Sequence, residues 1–285
     1  VYGVHPNLRG VTKLKFERLE ELEECDLLFL ALPHGAAMRT IEDFLPLSER
    51  IIDLSADFRL REATDYPLWY GEEHPRPELL SRFVYGLAEL HREEIKGARY
   101  VSGTGCLATA SILGLIPLLK SDALDLRQPI VIEGKIGSSA AGSRPELSSH
   151  HPERSGAVRS FKPTGHRHTA EIVQELTFSR KPLIHFSATA LEMVRGILIT
   201  AHCFLKEGLE EKDIWGLYRR EYSQEPFIRI VKERRGVYRY PEPKILMGTN
   251  YCDVGFEKDP RSDRLVVFAA LDNLMKGGAG GAVQC

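Results

Sequence analysis

The chain has 285 residues, 43% of them hydrophobic and 27% charged, with a formal net charge of −2 at pH 7. That length suits one large or two smaller globular domains, and the charge balance speaks against general nucleic-acid binding. No apolar run reaches the length of a membrane span, and no secretory signal pattern opens the chain.

In chain order, residues 26–33 form a continuous apolar run of strand length, as in a parallel strand buried on both faces. A helical pattern over 35–45 and a strand over 50–54 complete a β-α-β order, which predicts a parallel sheet with right-handed crossovers. Such sheets bind ligands at the carboxyl ends of their strands, where Leu32-Pro-His-Gly35 and Leu54-Ser-Ala-Asp-Phe-Arg59 stand. A short strand at 98–101 runs into Gly103-Thr-Gly105, and a helix of apolar and small residues follows over 106–119. Residues 129–138 read as a strand, 138–167 as a long polar loop and 168–176 as a helix. Strands over 182–191 and 195–204 have the length found in antiparallel sheets. An amphipathic helix over 209–222 puts Ile214, Leu217 and Tyr218 on one face. Further strands lie near 226–231, 249–257 and 264–270, and a glycine-rich segment over 272–284 starts a helix returning to the first domain. The expected fold is α/β. A parallel, Rossmann-like domain spans 1–105 and 271–285, and an α+β domain with a mixed sheet spans 106–270.

Cys106 carries the strongest chemical signal. A thiol at a helix N-terminus sits beside unpaired backbone N–H groups and the positive end of the helix dipole, which lower its pKa. The same N–H groups can stabilise an oxyanion on the carbon the sulfur attacks. The other reading is a small buried residue needed for packing after the turn. The five cysteines (Cys25, Cys106, Cys203, Cys252, Cys285) are odd in number and scattered. They show no disulfide framework or metal-ligand spacing, so a reducing cytoplasm is expected.

Gly165-His-Arg-His-Thr169 offers two histidines as acid or base for a nucleophilic cysteine, or else a surface loop. Arg59 suits a phosphate or carboxylate, the alternative being a surface pair with Asp57. The loop from Gly137 to Arg144 lets backbone approach an anion or a flat ring, or is a linker. Arg144, Arg154, Arg159, Lys162 and Arg167, against Glu146 and Glu153, make a local basic stretch, a solvated loop or a dock for an acidic partner.

These segments resemble the N-acetyl-γ-glutamyl-phosphate reductase family, relatives of aspartate-semialdehyde dehydrogenase. The resemblance rests on His5-Pro-Asn-Leu-Arg-Gly10, Ala31-Leu-Pro-His-Gly35, Asp53-Leu-Ser-Ala-Asp-Phe-Arg-Leu60, Tyr85-Gly-Leu-Ala-Glu-Leu90, the Cys106 turn, Gly165-His-Arg-His-Thr-Ala-Glu171 and Asp272-Asn-Leu-Met-Lys-Gly277. It is closest to the branch whose aminoadipyl or glutamyl phosphate is carried by the small acidic protein LysW. Three features point there: His150-His-Pro-Glu-Arg-Ser155, Lys162-Pro-Thr-Gly-His-Arg-His168, and Gly-Cys-Leu-Ala-Thr where acetyl-substrate enzymes read Gly-Cys-Tyr-Pro-Thr.

The resemblance implies NADPH-dependent reduction of the acyl phosphate to a semialdehyde through a thioester on Cys106, with His166 moving protons. Arg167, His168 and Ser138 would contact substrate, and Arg59 would hold its phosphate or carboxylate. Pro33, Ser139, Ala140, Gly142 and Asn273 would lie against the nicotinamide. It further implies a homodimer or homotetramer, no nucleic acid and no membrane. The alternatives are the same chemistry on free N-acetylglutamyl phosphate, or a chain that only binds the carrier. A cysteine hydrolase or acyltransferase would leave the parallel sheet and the Asn273 segment without a task. Family members open with a strand and a glycine-rich turn, and about forty residues of that kind are expected ahead of Val1.

Overall fold

The structure, a computed structural model, describes residues 1–142 and 146–285; Arg144 of the basic stretch lies outside the described residues. Two sheets organise the molecule. The first half contributes β1 (Leu28–Leu30), α1 (Ala37–Phe44), β2 (Ile51–Asp53), α2 (Asp65–Tyr70), α3 (Pro77–Leu80), β3 (Phe83–Gly86), α4 (Ala88–Gly97) and β4 (Tyr100–Gly103). Its four strands are parallel in the order β1-β2-β4-β3. The β1 strand is shorter than the apolar run suggests and lies at the sheet edge, so Phe29 is 43% exposed rather than buried on both faces.

The second half holds α5 (Cys106–Lys120), β5 (Ile130–Ile136), α6 (His151–Arg154), β6 (Val158–Lys162), α7 (His168–Glu175), β7 (Ile184–Leu191), β8 (Ile197–Phe204), α8 (Glu211–Tyr222), β9 (Ile228–Ile230), β10 (Cys252–Lys258) and β11 (Arg264–Leu271). Its strands form a seven-stranded mixed sheet ordered β6-β7-β5-β8-β11-β10-β9. Strict alternation of buried and part-exposed residues along β5, β7 and β8 turns one sheet face to the helices. The stretch expected to be one polar loop therefore contains a strand. Residues of β6 pair antiparallel with β7 across a bulge at the sheet edge, where all but Arg159 are exposed, Val158 and Phe161 included.

Helix α5 is the core of the molecule: every residue between Cys106 and Lys120 is buried. Gly114 lets it close on Val267, Ala269 and Ile199. Pro117 lies inside the helix and has no N–H to offer the carbonyl four residues back, that of Leu113. The Tyr222 hydroxyl from α8 donates to that carbonyl, and the Tyr218 hydroxyl donates to Gly114 O at 2.6 Å.

After β11 the chain makes a π-type turn at Met275–Ala279 and ends in α9 (Gly280–Gln284). Lys276 there is buried against Glu89 of α4, Nζ to Oε1 2.6 Å, so the terminal segment is bound to the first half. Among the described residues no helix is long and apolar enough to cross a membrane.

Candidate active site

The carboxyl end of β4 delivers Gly103-Thr-Gly105 to the start of α5, and Cys106 is the first helical residue, half-buried. Gly105 caps in an extended conformation, with φ −71° and ψ 132°. A side chain there would strike Glu171 Oε1 and His168 Nε2, each 2.6 Å from where a Cβ would stand. The glycine is thus what allows α7 to reach the cysteine. Gly277 plays the same part from the other side, since a Cβ on it would lie 2.7 Å from Cys106 Cβ.

The expectation of a depressed thiol pKa is overturned. Burial pushes the Cys106 thiol up to about 11, although Arg59 and the backbone N–H groups of Leu107 and Cys106 pull the other way. Desolvation of a thiolate outweighs one helix terminus and one cation already engaged elsewhere. The resting group is a thiol and needs a proton acceptor.

Glu171, fully buried on α7, accepts from the Tyr85 hydroxyl (2.8 Å), the Gly105 N–H (2.8 Å) and Arg59 Nη1 (3.3 Å). Its Oε1 also stands 3.9 Å from His168 Nε2. Sequence reasoning missed its role, though it lies three residues after His168 on a face that also buries Ile172 and Glu175.

Arg59 is not paired with Asp57. Its Nε donates to Gly103 O (2.7 Å), its Nη2 to Leu54 O (3.4 Å) and its Nη1 to Glu171. Asp57 instead holds His34 Nδ1 (2.5 Å) and the N–H groups of Gly35 and Met38 at the start of α1. These bonds keep its carboxyl below the usual range despite burial.

His166 rests against Phe186 and His168, with ring centroids 5.2 and 4.6 Å away. Its Nδ1 accepts the His168 N–H at 3.2 Å, which places its proton on Nε2. Burial, with Arg167 and Lys162 nearby, lowers its pKa to about 4. His168 is buried, is also held well below its ordinary pKa by burial and neighbouring cations, and leaves Nδ1 without a partner among the described residues. Both rings are neutral at pH 7.

A cavity of about 570 Å³ joins Cys106, His166, Arg167, His168, Arg59, Ser138 and Ala140. That is the size of a small-ligand site. Arg154, Arg159 and Lys162 also line it, with Glu146 as the only carboxylate among its described lining residues. Pro33, Ser139, Gly142 and Asn273 lie outside the lining. Pro33 and Gly142 are exposed on turns. Asn273 is buried behind the wall, its Oδ1 accepting Gly196 N–H (2.8 Å) and its Nδ2 donating to Ser139 Oγ (3.0 Å). Asn273 and Ser139 thus position the Ser138–Ala141 turn rather than face the cavity. No group of three metal-ligating side chains occurs among the described residues.

Residues 106–273 match the family model of the semialdehyde dehydrogenase dimerisation domain, and residues 1–98 that of the semialdehyde dehydrogenase NAD-binding domain. The LysW-L-2-aminoadipate 6-phosphate reductase of Deinococcus radiodurans is 52% identical over 99% of this chain and 80% of its own length. A Thermomicrobium roseum protein with the same activity in its name is 56% identical over 100% of this chain and 82% of its own. A Nitrosopumilus maritimus relative, whose name gives LysW-L-2-aminoadipate and LysW-L-glutamate phosphates together, is 45% identical over 100% and 82%. Among solved structures, aspartate semialdehyde dehydrogenase II from Vibrio cholerae superposes with a TM-score of 0.69 at 13% identity, covering 94% of this chain and 81% of that one. The likeness at that identity is one of fold.

Proposed function

The chain belongs to the semialdehyde dehydrogenase family, with its LysW-linked phosphate reductases, and we propose that it reduces a LysW-bound aminoadipyl or glutamyl phosphate to the semialdehyde. The observation that carries this reading is one cavity shared by a helix-terminal cysteine, two neutral histidines and a cluster of cations.

In the proposed reaction Cys106 Sγ attacks the acyl carbon as its proton passes to a histidine. The S–C bond forms, the bond to the phosphate oxygen breaks, and phosphate leaves with the electron pair. The N–H groups at the start of α5 face the oxygen on which charge develops. NADPH, when bound, would supply the hydride that converts the thioester on Cys106 toward the aldehyde. The walls fit a flat ring beside the sulfur, because Ser138, Ala140 and the Gly277-Gly278 pair present almost no side chain there. Ala140 would face such a ring, with Ser139 and Asn273 bracing the turn behind it and Pro33 and Gly142 placed farther out.

His166 is our first choice for proton transfer, standing part-exposed in the cavity wall with Arg167. A second reading gives the step to His168, favoured by its buried, unpartnered Nδ1 and its packing on Gly105. The positive field of the clustered cations would steer the acidic carrier toward the cavity. The dimerisation-domain match supports a homodimer or homotetramer, and five free cysteines accord with a reducing cytoplasm.

The test is NADPH oxidation with three substrates: LysW-linked aminoadipyl phosphate, LysW-linked glutamyl phosphate and free N-acetylglutamyl phosphate. Turnover confined to the carrier-linked pair is expected. Turnover of the acetylated compound alone would move the chain to the acetyl-substrate branch. Carrier binding by a folded chain without NADPH binding would leave only a docking role.

A further inference from the structure

We propose that Arg154, with Arg159 and Lys162, forms the phosphate subsite of this cavity. The proposal rests on the acyl-phosphate reading above and moves phosphate binding away from Arg59. All three guanidinium nitrogens of Arg59 already donate within the protein, and its charge is matched by Glu171.

Arg154 is in the opposite situation. It is 9% exposed and lines the cavity. Its Nε donates to Leu191 O at 2.7 Å and its Nη2 to Ile136 O at 3.0 Å, which fixes the side chain between the ends of β7 and β5. Nη1 has no partner among the described residues, and no described carboxylate lies within ion-pair distance of the group. A guanidinium does not give up its proton, so one fixed in a cavity wall with its charge unmatched favours an anion beside it. Arg159 reinforces the demand, because its charge lies close enough to pull the Arg154 pKa down further than burial alone.

The charge count selects a phosphate over a single carboxylate. Arg154, Arg159 and Lys162 share one wall, and among the described residues the Arg159 side chain donates only to a backbone carbonyl, Glu153 O at 2.9 Å. A dianion with several acceptor oxygens meets two or three such donors at once, whereas one carboxylate would leave the wall positive. The same cavity holds Cys106, so the acyl carbon can rest at the sulfur while its phosphoryl group sits among these cations. On thioester formation the carbon–oxygen bond breaks, its electron pair leaves with the phosphate, and the cations stabilise that leaving dianion.

Inorganic phosphate is the probe, added to the full chain without carrier or cofactor. Binding is read by calorimetry and by slower iodoacetamide labelling of Cys106, located by peptide mass spectrometry. The wild type should bind saturably, with acetate at equal ionic strength giving no protection. Arg154→Gln keeps amide donors for the two carbonyls but removes the charge, and should bind at least tenfold more weakly at an unchanged Tm. Arg154→Lys should recover part of the loss, and Arg180→Met, on a remote exposed turn, should bind as the wild type does. Absence of phosphate binding in the wild type overturns the proposal. So does equal protection by acetate, or wild-type affinity in a folded Arg154→Gln. Because no turnover is involved, a failure here leaves the reductase assay to be judged separately.

Discussion

At Cys106, burial and the helix terminus oppose each other, and burial wins in the resting protein, with the thiol pushed up to about 11. A raised thiol pKa means the thiolate fraction climbs tenfold per pH unit throughout the neutral range. Labelling of Cys106 by iodoacetamide should therefore rise log-linearly from pH 7 to pH 10, whereas a plateau near pH 7 would show an already ionised sulfur. Glu171 is the other decisive residue, since three donors and a histidine converge on it. Glu171→Gln leaves the Arg59 charge buried without its partner and should lower stability by roughly 3–5 kcal/mol, read from chemical denaturation. The sequence singles out Cys106, His166 and His168 because a helix-start thiol and a histidine pair carry local patterns, and the fold brings all three to one cavity. It does not single out Glu171, since a carboxylate on a helix looks like a solvated one until its partners from β3, the Gly105 turn and the Arg59 loop are brought together.

Element by element, the sequence readily discloses strands and helices with a buried face, as for α5, β7 and β8. It conceals β6, whose residues alternate neither in polarity nor in burial because the strand lies at an edge and is held mainly by its ladder to β7. Pro117 is a similar case. A proline inside a helical run reads as a break, yet α5 continues because α8 supplies the missing donor from Tyr222. Tyr222→Phe removes that donor and leaves the Leu113 carbonyl buried and unsatisfied. The expected loss is about 1–3 kcal/mol in denaturant unfolding, with α5 the first helix to lose hydrogen-exchange protection.

For the whole molecule, the cavity depends on two sheets meeting at Cys106, with the terminal segment closing over it. Gly277 packs on the cysteine, and Lys276 beside it is clamped to Glu89 and Gln284. Lys276→Met strands the Glu89 carboxylate in the interior and should cost about 3–5 kcal/mol, while adding Glu89→Met should restore much of it. Equal losses in the single and double variants would show that the pair does not join the halves. The domain pattern of a parallel sheet followed by a mixed sheet was readable from strand order, but their closure on one thiol depends on glycines whose close approaches only the folded chain displays. The most direct test of the central claim is a single-turnover experiment without NADPH. Mixing the chain with LysW-linked acyl phosphate should release one equivalent of phosphate per active chain and leave the acyl group on the Cys106 peptide, found by mass spectrometry. Absence of the burst and of the adduct, from a chain that turns over once NADPH is added, would contradict a thioester on Cys106.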